Sequence, residues 1–159
     1  MELTFADAKD FVKVGQPVLT VRQPYALFLV NGSKEYEFRS TDLPRKYFFN
    51  EWILIHAGTQ LKKEIVAMNE ESYNYQVQLA KDDGLFSCII GAVKFCDSIP
   101  NGGNGCPVIN ADYKFAWRVF KAVRFREPVR NIKGQLGIWK FKQQNCNYER
   151  KTNRPSAGR

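Results

Sequence analysis

The chain has a single histidine, His56, and its four cysteines, Cys88, Cys96, Cys106 and Cys146, include no Cys-x-x-Cys pair. Protein-built zinc sites need several thiolate or imidazole donors at short spacings, so this set argues against a zinc site, and neither a metal nor another cofactor is expected. The cysteines read as core fillers or idle thiols. No apolar run approaches the roughly 20 residues that a membrane-spanning helix needs, so no membrane partner is expected. The first residues lack the basic start, apolar stretch and small-residue cleavage site of a secretory leader. The expectation is a soluble protein inside the cell, cytoplasmic or nuclear, with reduced thiols. Its glycine-rich stretch, Gly102-Gly103-Asn104-Gly105, lacks the lysine and following helix of a phosphate cradle and reads as a flexible connection.

What is present is apolar residue in quantity: 44% of 159 residues, enough for one domain to bury a core without staples. The net charge of +8 points to a polyanionic partner, RNA or another single-stranded nucleic acid first and DNA second. Location qualifies that charge. Residues 142–159 carry Lys142, Arg150, Lys151, Arg154 and Arg159 against Glu149, half of the total, and read as a flexible tail that is either solubilising or an electrostatic arm. Residues 1–16 read as a lead-in, leaving 17–141 as the domain.

Within the domain, Pro17 to Val21 has the character of a strand and runs into Arg22 and Gln23 at a strand-to-helix junction, where exposed N–H groups can hold anions. A short helix starts at Pro24 and stops at Asn31-Gly32. Tyr36 to Arg39 reads as a strand, Ser40 to Lys46 as a polar loop, and Trp52 to Ala57 as a buried strand. Apolar spacing predicts a longer helix from Thr59, as its cap, to Lys81. Ser87 to Cys96 is the strongest strand, with Gly91 admitting a close neighbour. Phe115 to Phe125 fits one or two strands, and Pro128 to Gly134 a turn before Leu136 to Phe141. The class is α+β, a small mixed β-barrel of about six strands flanked by one short and one longer helix.

Chemistry concentrates just after the short helix. Gly32-Ser33-Lys34-Glu35-Tyr36-Glu37-Phe38-Arg39 sets Lys34, Glu37 and Arg39 close together, and alternation along a strand puts Glu37 and Arg39 on one face. An arginine held by a carboxylate presents its other donors to a phosphate or base edge, and a glutamate can accept from the exocyclic amine of cytosine or adenine. A solvated ion-pair cluster is the plain alternative. Tyr25 could stack on a base or pack in the helix-to-sheet seam. Trp117 and Trp139 read as core. Arg22, Gln23, Arg45 and Lys46 are further candidate nucleic-acid contacts. His56 is either a general base or a satisfied buried histidine.

The order of these pieces resembles the ASCH domain, the activating signal cointegrator homology branch of the PUA-like superfamily. The resemblance rests on Gln23-Pro24-Tyr25, the G-x-K-x-x-E-x-R pattern of Gly32, Lys34, Glu37 and Arg39, the strand Leu54-Ile55-His56-Ala57, Ala116-Trp117, and Lys133-Gly134-Gln135-Leu136-Gly137-Ile138-Trp139. It implies a PUA-like β-barrel with a cleft lined by the Lys, Glu and Arg of the motif, in a family whose members bind RNA, sometimes DNA, and include a few enzymes. The chain departs from the pattern at Arg45-Lys46-Tyr47, where many members have Arg-Gly. The superfamily's small bacterial amidohydrolases, which deacetylate acetylated cytidine, follow the lysine by a threonine three residues on; here Glu37 follows Lys34. A carboxylate does not serve that acyl chemistry as a hydroxyl does, which favours recognition. The alternative is a metal-independent ribonuclease or an amidohydrolase on a modified nucleoside, with Lys34, Glu37 and Arg39 as catalytic candidates. A protein-interaction domain is the third reading.

Overall fold

Period-two alternation is laid out as one mixed sheet in the computed structural model, which describes residues 2–65, 68–102 and 113–142. Its elements are β1 (Phe5–Ala6), β2 (Pro17–Gln23), α1 (Tyr25–Val30), β3 (Tyr36–Arg39), β4 (Ile53–Leu61), α2 (Glu70–Asp82), β5 (Cys88–Pro100), β6 (Phe115–Val129) and β7 (Ile138–Lys140). The hydrogen-bonded order is β1-β6-β5-β4-β2-β7, with β3 beside the start of β6. β2 and β4 run parallel, while β4, β5 and β6 form an antiparallel meander. The class is α+β, and among the described residues the ladder runs from β1 to β7 without closing on itself. No described helix is long and apolar enough to cross a membrane.

Adjacent residues of the central strands serve opposite faces. Leu19, Ile55, Val93 and Phe95 join α1 and Trp117 in the larger core, while Val18, Leu54, Ala92 and Val123 join Phe125, Trp139 and Phe141 in the smaller one. Residues of the N-terminal stretch belong to the second core: Phe11 meets Trp52 edge-on at 5.2 Å between ring centroids, and β1 pairs with β6. All six residues of α1 are buried. Both α1 and β6 crowd Gly91: a Cβ there would stand 2.6 Å from Val30 of the helix and 2.2 Å from the Val123 carbonyl oxygen of the neighbouring strand. The close neighbour anticipated at Gly91 is therefore α1 together with β6.

The sequence misplaces two elements. The helix expected from Thr59 begins only at Glu70, capped by Asn69, whose side chain accepts from the Ser72 N–H at 2.7 Å. Gly58 to Leu61 extend β4 instead, because Gln23 of β2 pairs with Leu61 and this ladder outcompetes the local rhythm. β6 runs on to Val129, which pairs with Ile89, so the turn expected from Pro128 starts later. The glycine stretch beyond Gly102, Cys106, Cys146 and the tail from 143 lie outside the described residues.

Candidate functional site

The end of α1 aims the charged motif. Gly32 takes the left-handed φ of 75°, and the Ser33 N–H reaches back to the Phe28 carbonyl at 3.0 Å while that of Gly32 bonds Leu29 at 3.1 Å. This double closure is a Schellman motif at the stop expected from Asn31-Gly32, and it turns the chain towards β3. β3 then pairs with β6 with Glu37 opposite Trp117 and Arg39 opposite Phe115.

Lys34, Glu37 and Arg39 converge as one ion triad. The Lys34 ammonium donates to Glu37 Oε1 at 3.0 Å and to the Tyr36 carbonyl at 2.5 Å, and Arg39 Nε donates to Glu37 Oε2 at 3.0 Å. Arg39 Nη2 also donates to the Thr20 carbonyl at 2.9 Å, while Nη1 has no hydrogen-bond partner among the described residues. Lys34 and Glu37 are 9% and 6% exposed, so the triad is a built structure and the solvated-cluster alternative fails on burial. Burial alone would raise the Glu37 carboxyl, but the charges and hydrogen bonds of Lys34 and Arg39 outweigh it and hold the group below its ordinary value. Aromatic faces line the same place: Lys34 Nζ lies 5.1 Å from the Phe38 ring centroid and 5.7 Å from that of Tyr25, and the Arg39 guanidinium lies 5.9 Å from that of Trp117.

Above the triad opens a cleft of about 400 Å³, within the roughly 300–1,000 Å³ range of small-ligand sites. Among the described residues, Arg22, Lys34, Arg39 and Lys62 line it against one carboxylate, Glu37, with Tyr25, Phe38 and Tyr113 as aromatic surface and Gln135, Leu136 and Gly137 as one lip. Arg22 is exposed there. Tyr25 is packed in the seam between α1 and α2, its ring near Phe28 and Tyr73 and its hydroxyl donating to the Glu64 carbonyl, yet it still reaches the lining.

Three candidates from the sequence are not brought to the cleft. Gln23 is fully buried, donating to the Leu85 carbonyl at 2.9 Å and accepting from the Leu27 N–H at 3.1 Å. Its amide therefore fastens α1 to the sheet, and at this junction the Leu27 and Phe28 N–H groups are taken internally, by Gln23 and the Pro24 carbonyl. Arg45 and Lys46 stand exposed on a short 3-10 turn, with Lys46 folded 5.1 Å over the Tyr47 ring, and neither lines the cleft.

His56 sits behind the cleft wall and is 1% exposed. Its Nε2 donates to the Ile132 carbonyl at 2.6 Å, its Nδ1 lies 3.2 Å from the Thr20 hydroxyl, and that hydroxyl accepts from Trp139 Nε1 at 3.1 Å. The network assigns a neutral ring with its proton on Nε2, and burial lowers its pKa despite the Ile132 carbonyl. Both nitrogens are occupied, so the general-base role has no geometry, and the buried structural reading holds. Gly134 completes this wall: a Cβ there would meet His56 Cε1 at 2.8 Å and the Thr20 hydroxyl at 2.9 Å.

The sequence reading missed Lys62, Tyr113 and Gln135 to Gly137 as lining. Lys62 was hidden inside the misplaced helix, and it donates to the Tyr113 hydroxyl from just past the end of β4. The Lys133 to Gly137 loop carried a signal, a glycine pair bracketing Gln-Leu before a Trp strand, but only as part of a pattern. Among the described residues no group of three His, Cys, Asp or Glu side chains converges in metal-binding geometry. Burial pushes the Cys88 thiol up to about 11, with Arg130 opposing, so it remains an unreactive thiol at neutral pH. No family model matches the chain, and no curated protein does either.

Proposed function

We propose that the chain is a nucleic-acid-binding domain of ASCH type, a PUA-like barrel in which the Lys34, Glu37 and Arg39 cleft takes a base or nucleotide of a single-stranded segment, RNA in the first place. The observation that carries this is the posture of Arg39. Glu37 and the Thr20 carbonyl fix its guanidinium from two sides while the side chain lines the cleft. A guanidinium held in place loses little entropy when it binds a phosphate or base edge. Arg22 and Lys62 supply further positive charge, and the aromatic lining supplies surface for a base.

The hydrolase alternative is less well supported. Both oxygens of Glu37 are occupied by cations, two donors of Lys34 are committed, and His56 is walled in. Fluorescence anisotropy with a labelled single-stranded RNA, the same sequence as DNA, and the RNA duplex tests the proposal, with product analysis on the same samples. Binding at low salt that weakens linearly in log–log with salt is the expected result. Cleavage of these samples, or deacylation of an acylated nucleoside assayed beside them, abolished by Lys34→Ala and Glu37→Gln would instead establish the enzyme.

A further inference from the structure

Leu136 occupies a place that folding does not explain. It is 98% exposed, whereas the next most exposed large hydrophobic side chains among the described residues, Val14 and Tyr75, reach 66%. A leucine held wholly in water contributes nothing to the core. Single exposed apolar residues need no explanation on their own, but this one stands on the lip of the charged cleft.

The loop that carries it is held at both ends. At its start, Gly134 lies against His56 and the Thr20 hydroxyl with no room for a side chain. At its end, Gly137 takes a left-handed φ of 65° and feeds Ile138 into β7, which pairs with β2 next to Thr20. Leu136 is thus presented from anchored backbone, while Thr20, which lines the same cleft, also holds Arg39 through its carbonyl. A cleft for phosphate alone would need only the cations. An apolar side chain projecting beside them fits a ligand with a flat, poorly hydrated face.

Resting on the reading of the cleft as a nucleic-acid site, we infer that Leu136 is an apolar clamp that packs on the face of an unstacked nucleobase whose backbone the cleft cations hold. Leu136 thereby selects unpaired nucleotides over duplex, because a base inside a helix has both faces covered by its neighbours.

The test compares wild type, Leu136→Ser, Leu136→Met and Arg39→Ala in anisotropy titrations with a single-stranded RNA and its duplex, at several salt concentrations. Leu136→Ser is expected to weaken single-strand binding roughly tenfold, the loss that follows when about half of a leucine's burial goes. Duplex binding and the salt slope should stay unchanged, since no phosphate contact is lost, and Leu136→Met should bind as wild type does. Because the side chain is exposed, all three Leu136 forms should unfold at the same urea midpoint. Leu136→Ser binding the single strand as tightly as wild type, while Arg39→Ala weakens it, overturns the clamp alone. Equal losses on single strand and duplex also overturn it. Wild type binding neither RNA overturns the clamp together with the reading of the cleft.

Discussion

Replacing Glu37 by glutamine removes the only negative charge from a buried triad while nearly preserving its shape. In the wild type each carboxylate oxygen takes one cation at 3.0 Å, and the Lys34 and Glu37 side chains are 8% and 7% exposed. Removing one member of a buried ion pair costs about 3–5 kcal/mol, because the remaining charge keeps its desolvation without its partner. Arg39 retains a quarter of its side-chain exposure and its bond to Thr20, and Lys34 retains the Tyr36 carbonyl, so the lower end applies. The expected loss is about 3 kcal/mol at pH 7, equivalent to roughly 6–12 °C in Tm for a chain of this size. Urea unfolding followed by tryptophan fluorescence measures it, with Glu35→Gln as control. Glu35 faces Arg118 at 3.8 Å with both side chains more than half exposed, and its loss should stay within about 0.5 kcal/mol. The pH dependence supplies a second check. The folded Glu37 carboxyl lies below its unfolded value of 4.5, so its stabilisation is fully present above that pH and is lost as pH falls through the folded value. Wild type and Glu37→Gln should therefore converge in acid. Equal urea midpoints at pH 7, or a gap that stays constant into the acid range, would refute a stabilising ion triad.

Other perturbations have distinct expected outcomes. Gly134→Ala places a methyl group 2.8 to 3.0 Å from His56 and Thr20 and should cost about 2 kcal/mol by overpacking, read from its urea midpoint. Thr20→Val leaves Trp139 Nε1 without its acceptor and should cost about 1–3 kcal/mol, while the loss of the hydrogen bond changes the indole fluorescence. His56 has a folded pKa below its unfolded 6.5, so its contribution is present above pH 6.5 and declines as pH falls towards the folded value. His56→Gln should remove that decline, and an unchanged stability slope between pH 7 and 5 would show that His56 does not cause it. Arg22→Ala, on exposed charge at the cleft, should leave stability within about 0.5 kcal/mol and reduce the log–log salt slope of RNA binding by about one.

What the sequence made legible was local. The Asn31-Gly32 stop, the meeting of Glu37 and Arg39 on one face, and the core positions of Trp117 and Trp139 follow from spacing and turn chemistry within a few residues, and the structure has them as read. Gln23 was misread because a polar residue at a strand-to-helix junction can turn either way, and only Leu85, distant in sequence, offers the carbonyl that draws it inward. Thr59 to Leu61 were misread because their alternation is weak and a ladder with β2 decides their state. Lys62 and the loop residues Gln135 to Gly137 come together through the order β4-β2-β7, and Tyr113, just before β6, joins them through its bond from Lys62, which no short-range pattern encodes.

The most direct measurement is the affinity of the 159-residue chain for a labelled single-stranded RNA at low and moderate salt. It compares wild type, Arg39→Ala, and a form with Arg150, Lys151, Arg154 and Arg159 of the tail replaced by serine. If the cleft is the binding site, Arg39→Ala loses about tenfold or more, the cost of a charged hydrogen-bonding contact, and exceeds the loss from the neutralised tail. An Arg39→Ala form that binds as wild type does while the neutralised tail abolishes binding would place the interaction in the tail and contradict a nucleic-acid site in the cleft.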